Sequence, residues 1–302
     1  MKKILCLLLL TTLLVACEEE NPNNINSGYT TNSIPDADTN AVLAMPSDSI
    51  FYESKSFDKQ SNNCQSDTAN CAKFVATFPL VEPRLHGKVS DSINNFIRQK
   101  LYAPLYGDAK ANGLNSLLEP YYSAYKSALK EAQSEGQDYI PVWYYQRHFD
   151  VFHNTYWLFT IRHHEKSYAG GAHPNSFTNY YNFNPVTGRR LYVRNVFKAG
   201  YANKLKKIAE KKFRSAAGIA ASASLEDEGF WFDNNEFALN ENFYLDAGGI
   251  HFFYNAYEVA PADKGSITIN IKYSEVQGML EDIFDPENRL AFDKNHPQVG
   301  RY

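Results

Sequence analysis

The chain has 302 residues, of which 34 are acidic and 30 are basic, so its formal net charge is −4. This balance argues against a nucleic-acid partner, because phosphate binding needs a basic surface. The length suggests one large domain or two small ones, with enough residues for a sizeable core.

The N-terminus has the pattern of a bacterial lipoprotein signal. Two lysines precede an apolar run from Ile4 to Leu14, and small residues then lead into Cys17. The apolar run is too short to span a bilayer comfortably. We expect residues 1–16 to be removed and Cys17 to carry the lipid, so that the protein is anchored to the outer membrane, on its periplasmic or surface side. The alternative is an ordinary secretory peptide that is cut near Ala16.

Residues 17–45 are predicted to be a disordered tether. They are rich in Asn, Thr, Ser, Asp and Pro and contain few large apolar side chains. The acidic run Glu18–Glu20 resembles the surface-export signals of some Gram-negative lipoproteins, and a plain solvated charge run explains it equally well. The tether would hold the folded part away from the membrane.

Two cysteines remain once Cys6 leaves with the signal and Cys17 carries lipid. Cys64 and Cys71 form an even pair in an oxidising compartment, and the residues between them are polar and turn-prone. We expect a disulfide, which would stabilise the fold by roughly 2–3 kcal/mol on a loop-entropy argument. A metal site would need further thiol or histidine ligands, and the sequence supplies none nearby.

Residues 46–153 are predicted to form an N-terminal α+β sub-domain. Strands are expected from alternating apolar residues, and helices from apolar residues at helical spacing. The predicted elements are, in chain order, a strand at Ser49–Lys55, a strand at Ala72–Phe78 that Pro79 ends, a helix from Ser90 or Asp91 to about Leu101, a helix at Leu114–Ser134, and a strand at Val142–Val151.

Residues 154–284 are predicted to form a C-terminal α+β domain, followed by a patternless tail at 285–302. The predicted elements are strands at Tyr156–His163 and Asn179–Phe183, a helix at Tyr201–Phe213 that residues 216–224 could extend, a hairpin of Phe243–Leu245 and Ile250–Tyr254, a strand at Ser266–Ile271, and a short helix from Ser274 to Leu280. The fold class is therefore α+β, with antiparallel sheets, inserted helices and two sub-domains.

The loop from Tyr168 to Asn175 is the densest motif in the chain. Gly170 and Gly171 allow a close backbone approach, and His173 and Asn175 place polar groups on a loop. We select Tyr168, Gly170, Gly171, His173 and Asn175 as candidate ligand-binding residues. The alternative is a strained connection between two strands, in which His173 satisfies local backbone groups.

The same loop carries a family resemblance. The run Tyr168–Asn175, followed by Tyr181-Asn182-Phe183-Asn184, resembles a bacterial extracytoplasmic domain of unknown function, the family numbered 3298. The stretch Gly249–Tyr254 with Tyr257–Pro261 is similar to the C-terminal half of that family. The order and spacing agree over roughly Tyr156 to Leu280.

The resemblance implies a binding role. Such domains form the outer part of an anti-sigma factor that senses lysozyme, and they precede the catalytic domain of a peptidoglycan deacetylase. The part from Ser49 to about His153 is more weakly similar to a companion family, numbered 4163. We expect neither sensing nor deacetylation, because no anti-sigma segment and no deacetylase domain is recognisable. The implied partner is peptidoglycan or a wall-acting protein such as lysozyme.

Catalytic and metal-binding patterns are weak in this sequence. His163 and His164 are adjacent in a predicted strand, so they point to opposite faces and are poorly placed to share one ion. We therefore predict no metal site and no cofactor. The serine-nucleophile motif Gly-x-Ser-x-Gly is absent from the sequence. A hydrolase that pairs His173 with a carboxylate such as Asp246, Glu258 or Asp263 remains an alternative function.

Aromatic residues are abundant, with 20 Phe, 21 Tyr and 3 Trp. Outward-facing rings could stack on sugars or anchor a protein interface, although most aromatic pairs would serve the core. The run Phe230-Trp231-Phe232 follows a charged stretch and is the best exposed candidate, so Trp231 joins the ligand-binding set. The leading hypothesis is a lipid-anchored envelope binding protein. The alternatives are an envelope hydrolase that acts on wall glycan and a structural lipoprotein without a ligand.

Overall fold

The computed structural model describes residues 50–61, 64, 71–105, 107–108, 111–137 and 140–295. The predicted signal peptide, Cys17 and the tether at 17–45 lie outside the described residues. The described part has an α+β fold, as predicted. It contains one six-stranded sheet and one three-stranded antiparallel sheet, with helices between the strands.

The strands and helices alternate in blocks along the chain. The strands are β1 (Tyr52–Gln60), β2 (Ala72–Val81), β3 (Trp143–Asn154), β4 (Phe159–Tyr168), β5 (Asn175–Phe183), β6 (Arg190–Leu191), β7 (Phe243–Asp246), β8 (Gly249–Tyr254) and β9 (Ile267–Ile271). The helices are α1 (Pro83–His86), α2 (Lys88–Leu101), α3 (Leu114–Ser134), α4 (Val193–Val196), α5 (Ala202–Ala217) and α6 (Pro286–Asn295).

The six-stranded sheet has the order β1-β2-β3-β4-β5-β6. All of its pairs are antiparallel except β2 with β3, which are parallel. The sequence predicted antiparallel pairing throughout. The parallel pair arises because α1, α2 and α3 carry the chain back across the sheet between β2 and β3. The predicted sub-domain boundary at 153/154 falls at the end of β3, inside this continuous sheet.

Two hydrophobic cores hold the fold. One lies between the six-stranded sheet and helices α2 and α3, and it contains Phe74, Ile97, Tyr121 and Phe159. The other packs α5 against the three-stranded sheet, with Phe213 at its centre. The apolar spacing in α2 and α3 explains the first core, because those side chains fall on one face of each helix.

Several predicted boundaries were wrong. Strand β4 begins at Phe159 rather than Tyr156, because residues 155–158 form the turn after β3. Strand β5 begins at Asn175 rather than Asn179. The predicted helix from Ser274 is only a 3₁₀ turn at Tyr273–Glu275, in which Glu275 Oε2 accepts the Lys272 N–H at 2.9 Å. The predicted patternless tail contains α6.

Asparagine side chains occupy the open edge of β5. Strand β6 pairs with only two residues of β5, so on this side the earlier residues of β5 have no neighbouring strand. Asn242 accepts the Tyr180 N–H at 2.8 Å and donates to the Thr178 carbonyl at 2.8 Å. Asn182 donates to the Phe243 carbonyl at 2.7 Å. These amides act as substitute backbone partners, which protects the edge and joins the two sheets.

A buried charged cluster lies under α2. Arg147, His163 and Glu165 all lie on the helix-facing side of β3 and β4, and all three are buried. The Arg147 Nε–H donates to Glu165, and Nη1 donates to the carbonyls of Leu101 at 2.7 Å and Ala103 at 2.9 Å, at the end of α2. Arg147 therefore satisfies both a buried carboxylate and a helix C-terminus.

The imidazole of His163 makes fold stability pH-dependent. Burial lowers its pKa, although Glu165 partly opposes the shift. Burial alone would raise the pKa of Glu165, but His163 and Arg147 outweigh that effect and lower it. Protonation of His163 therefore favours the unfolded chain. The stability is fully present above the unfolded pKa and is lost as pH falls through the lowered folded pKa.

We expect the substitution His163→Phe to flatten this pH dependence. The ring stacks on Phe149 with centroids 4.1 Å apart, and phenylalanine keeps that stack without titrating. Denaturant unfolding should show a shallower loss of stability in the variant as pH falls below about 6.5. A slope remains, because burial also lowers the pKa of His86, His153 and His164. An unchanged slope, with both proteins folded at pH 8, would contradict the assignment.

Candidate functional site

The loop between β4 and β5 packs against the fold at its start and is exposed to solvent at its end. Tyr168 is partly buried and stacks on Tyr144, with ring centroids 6.3 Å apart. Gly170 has φ +85°, and a Cβ there would lie 3.2 Å from the Trp143 ring. A Cβ at Gly171 would have one neighbour within 4 Å, the backbone carbonyl oxygen of His173 at 3.9 Å. Gly170 therefore fits the close passage of the loop over Trp143, while Tyr168 packs the start of the loop against Tyr144.

We expect Gly170→Ala to lower the free energy of unfolding by about 1–2 kcal/mol, because alanine rarely adopts this φ and its methyl group would press on Trp143. Gly171→Ala is the matched control and should cost less than about 0.5 kcal/mol. Chemical denaturation of both variants measures the difference. Equal effects would show that the contact with Trp143 does not constrain the loop.

His173 contacts a tyrosine from another part of the chain. Its ring is exposed and stacks on Tyr257, with centroids 5.9 Å apart and planes 15° apart. Its Nε2 lies 3.2 Å from the Tyr257 hydroxyl, and its Nδ1 lies 3.4 Å from the Pro174 carbonyl. Asn175 is exposed at the start of β5, paired in register with Ser167. The structure thus joins His173 to a residue outside the predicted set.

Tyr257 has an unusual backbone. Its side chain is 53% exposed, and its φ is +67°, a value that residues with a side chain rarely adopt. Strained backbone persists only where the surroundings enforce it, and it is concentrated at functional sites. The sequence signal for Tyr257 was its place in the family-like run Tyr257–Pro261, but that run alone did not distinguish it from its neighbours.

Trp231 lies beside the same segment. Its indole is 50% exposed, and its Nε1–H donates to the Glu258 carbonyl at 3.1 Å. Its backbone N–H donates to the Val259 carbonyl at 3.0 Å. The neighbours in the aromatic run point elsewhere, because Phe230 is buried and Phe232 packs on Phe213. The prediction that this run presents an exposed ring holds for Trp231 alone.

The segment that carries Tyr257 is fixed by side-chain hydrogen bonds. Glu258 Oε1 accepts from Asn240 Nδ2 at 2.7 Å, and Oε2 accepts from the Asn255 N–H at 2.8 Å. The Asn255 side chain in turn accepts the Thr178 N–H at 2.6 Å and donates to the Thr178 carbonyl at 3.1 Å. These bonds attach the segment to β5, next to the loop of His173. We call His173, Trp231 and Tyr257 the aromatic patch.

The patch has few features of a hydrolytic site. His173 contacts the hydroxyl of Tyr257 and a carbonyl rather than a carboxylate. Glu258 is engaged by two asparagines, and Asp246 accepts from the Gly248 N–H at 2.7 Å and lies 2.8 Å from His251 Nε2. These carboxylates therefore hold turns in place. Within the described residues His173 bonds no carboxylate, so the pair that the hydrolase alternative requires is not formed, and the His251–Asp246 contact lies in the β7–β8 hairpin instead.

Two of the open clefts among the described residues lie elsewhere. One, of about 490 Å³, lies between β2 and α2 and is lined by Asn94, Arg98 and Tyr102. The other, of about 460 Å³, lies between the end of β1 and the start of α3. Neither cleft is lined by a residue of the aromatic patch. In the first cleft, Asn94 already bonds both backbone groups of Val81, at 2.9 Å each.

The two cysteines of the predicted disulfide, Cys64 and Cys71, are both buried. Cys64 Sγ lies 3.7 Å from the carbonyl of Ala72, the neighbour of Cys71, while residues 65–70 lie outside the described part. The disulfide stays a prediction. His163 and His164 do face opposite sides of the sheet.

The described residues show neither a cluster of metal ligands nor a membrane-spanning helix. Within them, no group of three or more His, Cys, Asp or Glu side chains is arranged to hold a metal ion. No helix in that part of the chain combines the length and the apolar composition needed to cross a membrane.

Residues 194–274 match the family described as protein of unknown function (DUF3298). The matched range is narrower than the predicted Tyr156–Leu280. It includes Trp231 and Tyr257 and leaves out the loop of His173. The similarity to the companion family 4163 stays a prediction. A search of curated proteins found no match.

Two solved structures show a similar fold. A DUF3298 family member from Bacteroides fragilis has a TM-score of 0.63 and 23% identity, over 81% of this chain and 98% of that chain. A DUF3298 family protein from Pseudomonas aeruginosa has a TM-score of 0.56 and 14% identity, over 78% of this chain and 97% of that chain. At these identities the likeness supports a shared fold, and it extends well beyond residues 194–274.

Proposed function

Residues 194–274 form a domain of the DUF3298 family, and from this premise we propose that the protein binds cell-wall glycan at the bacterial envelope through its aromatic patch. The observation that carries the proposal is the pair of half-exposed rings, Trp231 and Tyr257. A hydrogen bond to the Glu258 carbonyl holds the indole of Trp231, and Tyr257 contacts His173 from a strained backbone. Exposed aromatic rings lower the solubility of a protein, and such rings are enriched in binding interfaces.

The patch suits a sugar chain for a physical reason. An aromatic face can pack on the apolar face of a sugar ring, while hydroxyls of the sugar bond to polar groups beside it. His173 supplies an exposed imidazole next to the Tyr257 hydroxyl, so polar and apolar groups lie side by side. Because the rings are already ordered, little conformational entropy is lost when a ligand binds.

The proposed location rests on the N-terminal sequence. We propose that Cys17 carries the lipid that anchors the protein to the outer membrane, with residues 17–45 as the tether. Cys17→Ser should release the protein from membranes and abolish labelling by fatty acid. Continued labelling of that variant would rule out this anchor without affecting the proposal about the patch.

Co-sedimentation with purified sacculi tests the proposed ligand. Trp231→Ala should weaken binding at least about tenfold, which corresponds to about 1.4 kcal/mol. Tyr52→Ala is the matched control. Tyr52 is a 42% exposed aromatic residue on β1, which is the edge strand of the six-stranded sheet farthest from β5 and β6, and the aromatic patch is attached at β5. Its binding should equal that of the unchanged protein.

A lysozyme titration distinguishes the two partner classes. If lysozyme binds in a Trp231-dependent manner and sacculi do not, the partner is a wall-acting protein and the glycan proposal is wrong. If neither binds, and Trp231→Ala lowers the melting temperature, the structural interpretation is favoured instead.

A further inference from the structure

The face of the six-stranded sheet that points away from α2 and α3 carries a row of four polar side chains. The register places Thr77 of β2 beside His148 of β3, His148 beside His164 of β4, and His164 beside Thr178 of β5. Directly opposed residues on neighbouring strands have Cβ atoms about 4.5–5.5 Å apart. Two histidines are therefore immediate neighbours, with a threonine on each outer side.

Each threonine fixes the orientation of its histidine. Thr77 Oγ1 lies 2.9 Å from His148 Nδ1, and Thr178 Oγ1 lies 3.0 Å from His164 Nδ1. Each Nδ1 thus points away from the other histidine. In an imidazole ring, Cδ2 and Nε2 lie on the side opposite Nδ1. Both Nε2 atoms are therefore turned towards the space between the two rings.

We propose that His148 and His164 bind one divalent transition-metal ion through their Nε2 atoms, with water in the remaining coordination positions. A histidine that ligates a metal usually donates its other ring N–H to an oxygen, which fixes the tautomer. The two threonine hydroxyls stand where those acceptors are needed. Imidazole nitrogen suits zinc, copper and nickel rather than magnesium or calcium.

The charges around the pair are mixed. The charged side chains near His164 are the cations Lys166 and Arg162 and the anion Asp150. Arg162 is held in an ion pair with Asp150 at 3.0 Å, which neutralises one of the two nearby cations. This site is independent of the aromatic patch and of the proposed glycan binding.

The test uses the untagged chain and Zn²⁺ alone. Isothermal titration should give one site per chain, and nitrogen spectra of the histidine rings should show shifts at Nε2 of His148 and His164. His148→Asn and His164→Asn should each weaken binding at least tenfold. Thr77→Val, which removes an orienting hydroxyl, should weaken it less but measurably. His153→Asn is the control, because His153 on β3 also lies beside a threonine, at 3.2 Å from Thr155, but faces no second histidine.

The spectra also separate this site from zinc binding at Cys64 and Cys71, which would leave the ring nitrogens unshifted. Circular dichroism of the metal-free variants checks their folding. If one of them fails to fold, the ring-nitrogen shifts of the unchanged protein decide alone. The proposal is overturned if Zn²⁺ does not bind, if it shifts other histidines instead, or if the two asparagine variants bind it as the control does.

Discussion

Replacing Arg147 with methionine is expected to lower the free energy of unfolding by about 3–5 kcal/mol. The side chain is 3% exposed, and it pairs with Glu165, whose carboxylate is also buried. It also satisfies the carbonyls of Leu101 and Ala103 at the end of α2. Methionine has similar length but leaves a buried carboxylate and helix carbonyls without these donors. Denaturant unfolding at pH 7 measures the loss.

Arg162→Met is the matched control for this prediction. Arg162 pairs with Asp150 between the same two strands, but on the outer face, where the side chains are 43% and 45% exposed. Exposed ion pairs contribute about 0–1 kcal/mol. The difference in unfolding free energy between the two variants therefore measures the effect of burying the ion pair. Losses of similar size in both would mean that the buried cluster does not hold α2 against the sheet.

The second large effect is expected at Gly249, the first residue of β8. Its φ is +141°, and a Cβ there would overlap the carbonyl oxygen of Ile271 on β9. Gly249→Ala must therefore displace backbone within the three-stranded sheet, and we expect a loss of about 2–4 kcal/mol. Gly248→Ala is the control, since its nearest neighbour is the Asp246 side chain at 3.1 Å. Thermal unfolding of both variants measures the difference, and equal melting temperatures would contradict the steric argument.

Elements with strong local patterns were predictable from the sequence. Helix α3 spans Leu114–Ser134 as expected, because its apolar spacing is regular and Gly136 follows it. The β7–β8 hairpin and β9 were also recognised, the hairpin from its turn and β9 from strict alternation. In these segments a few neighbouring residues decide the structure.

Features that depend on distant partners were missed. The parallel pairing of β2 with β3 depends on how α2 and α3 pack, which no local pattern encodes. Strand β2 continues to Val81 through Pro79. Proline has no N–H to donate, but the pairing of β2 with β3 ends at Thr77, so no hydrogen bond to β3 is lost at Pro79. Helix α6 has little amphipathic character, so its periodicity gave no signal.

The candidate site was only partly predictable. Exposure of Trp231 followed from the charged stretch before it, and His173 from the glycine-rich loop. Their association with Tyr257 could not be predicted, because it requires the segment at 255–259 to attach to β5 through Asn255 and Thr178. That contact spans 77 residues of sequence. The buried pair of Arg147 and Glu165 was missed because the predicted strand ended at His163, two residues before Glu165.

Quenching of tryptophan emission by acrylamide tests the glycan-binding patch most directly. Trp231 is half exposed, whereas Trp143 is buried and Trp157 is partly buried, so Trp231 should dominate the quenching. Soluble glycan fragments of peptidoglycan should lower the quenching constant of the unchanged protein and leave that of Trp231→Ala unchanged. An unaltered quenching constant, at fragment concentrations that saturate binding, would show that the ligand does not cover Trp231 and would contradict the proposed function.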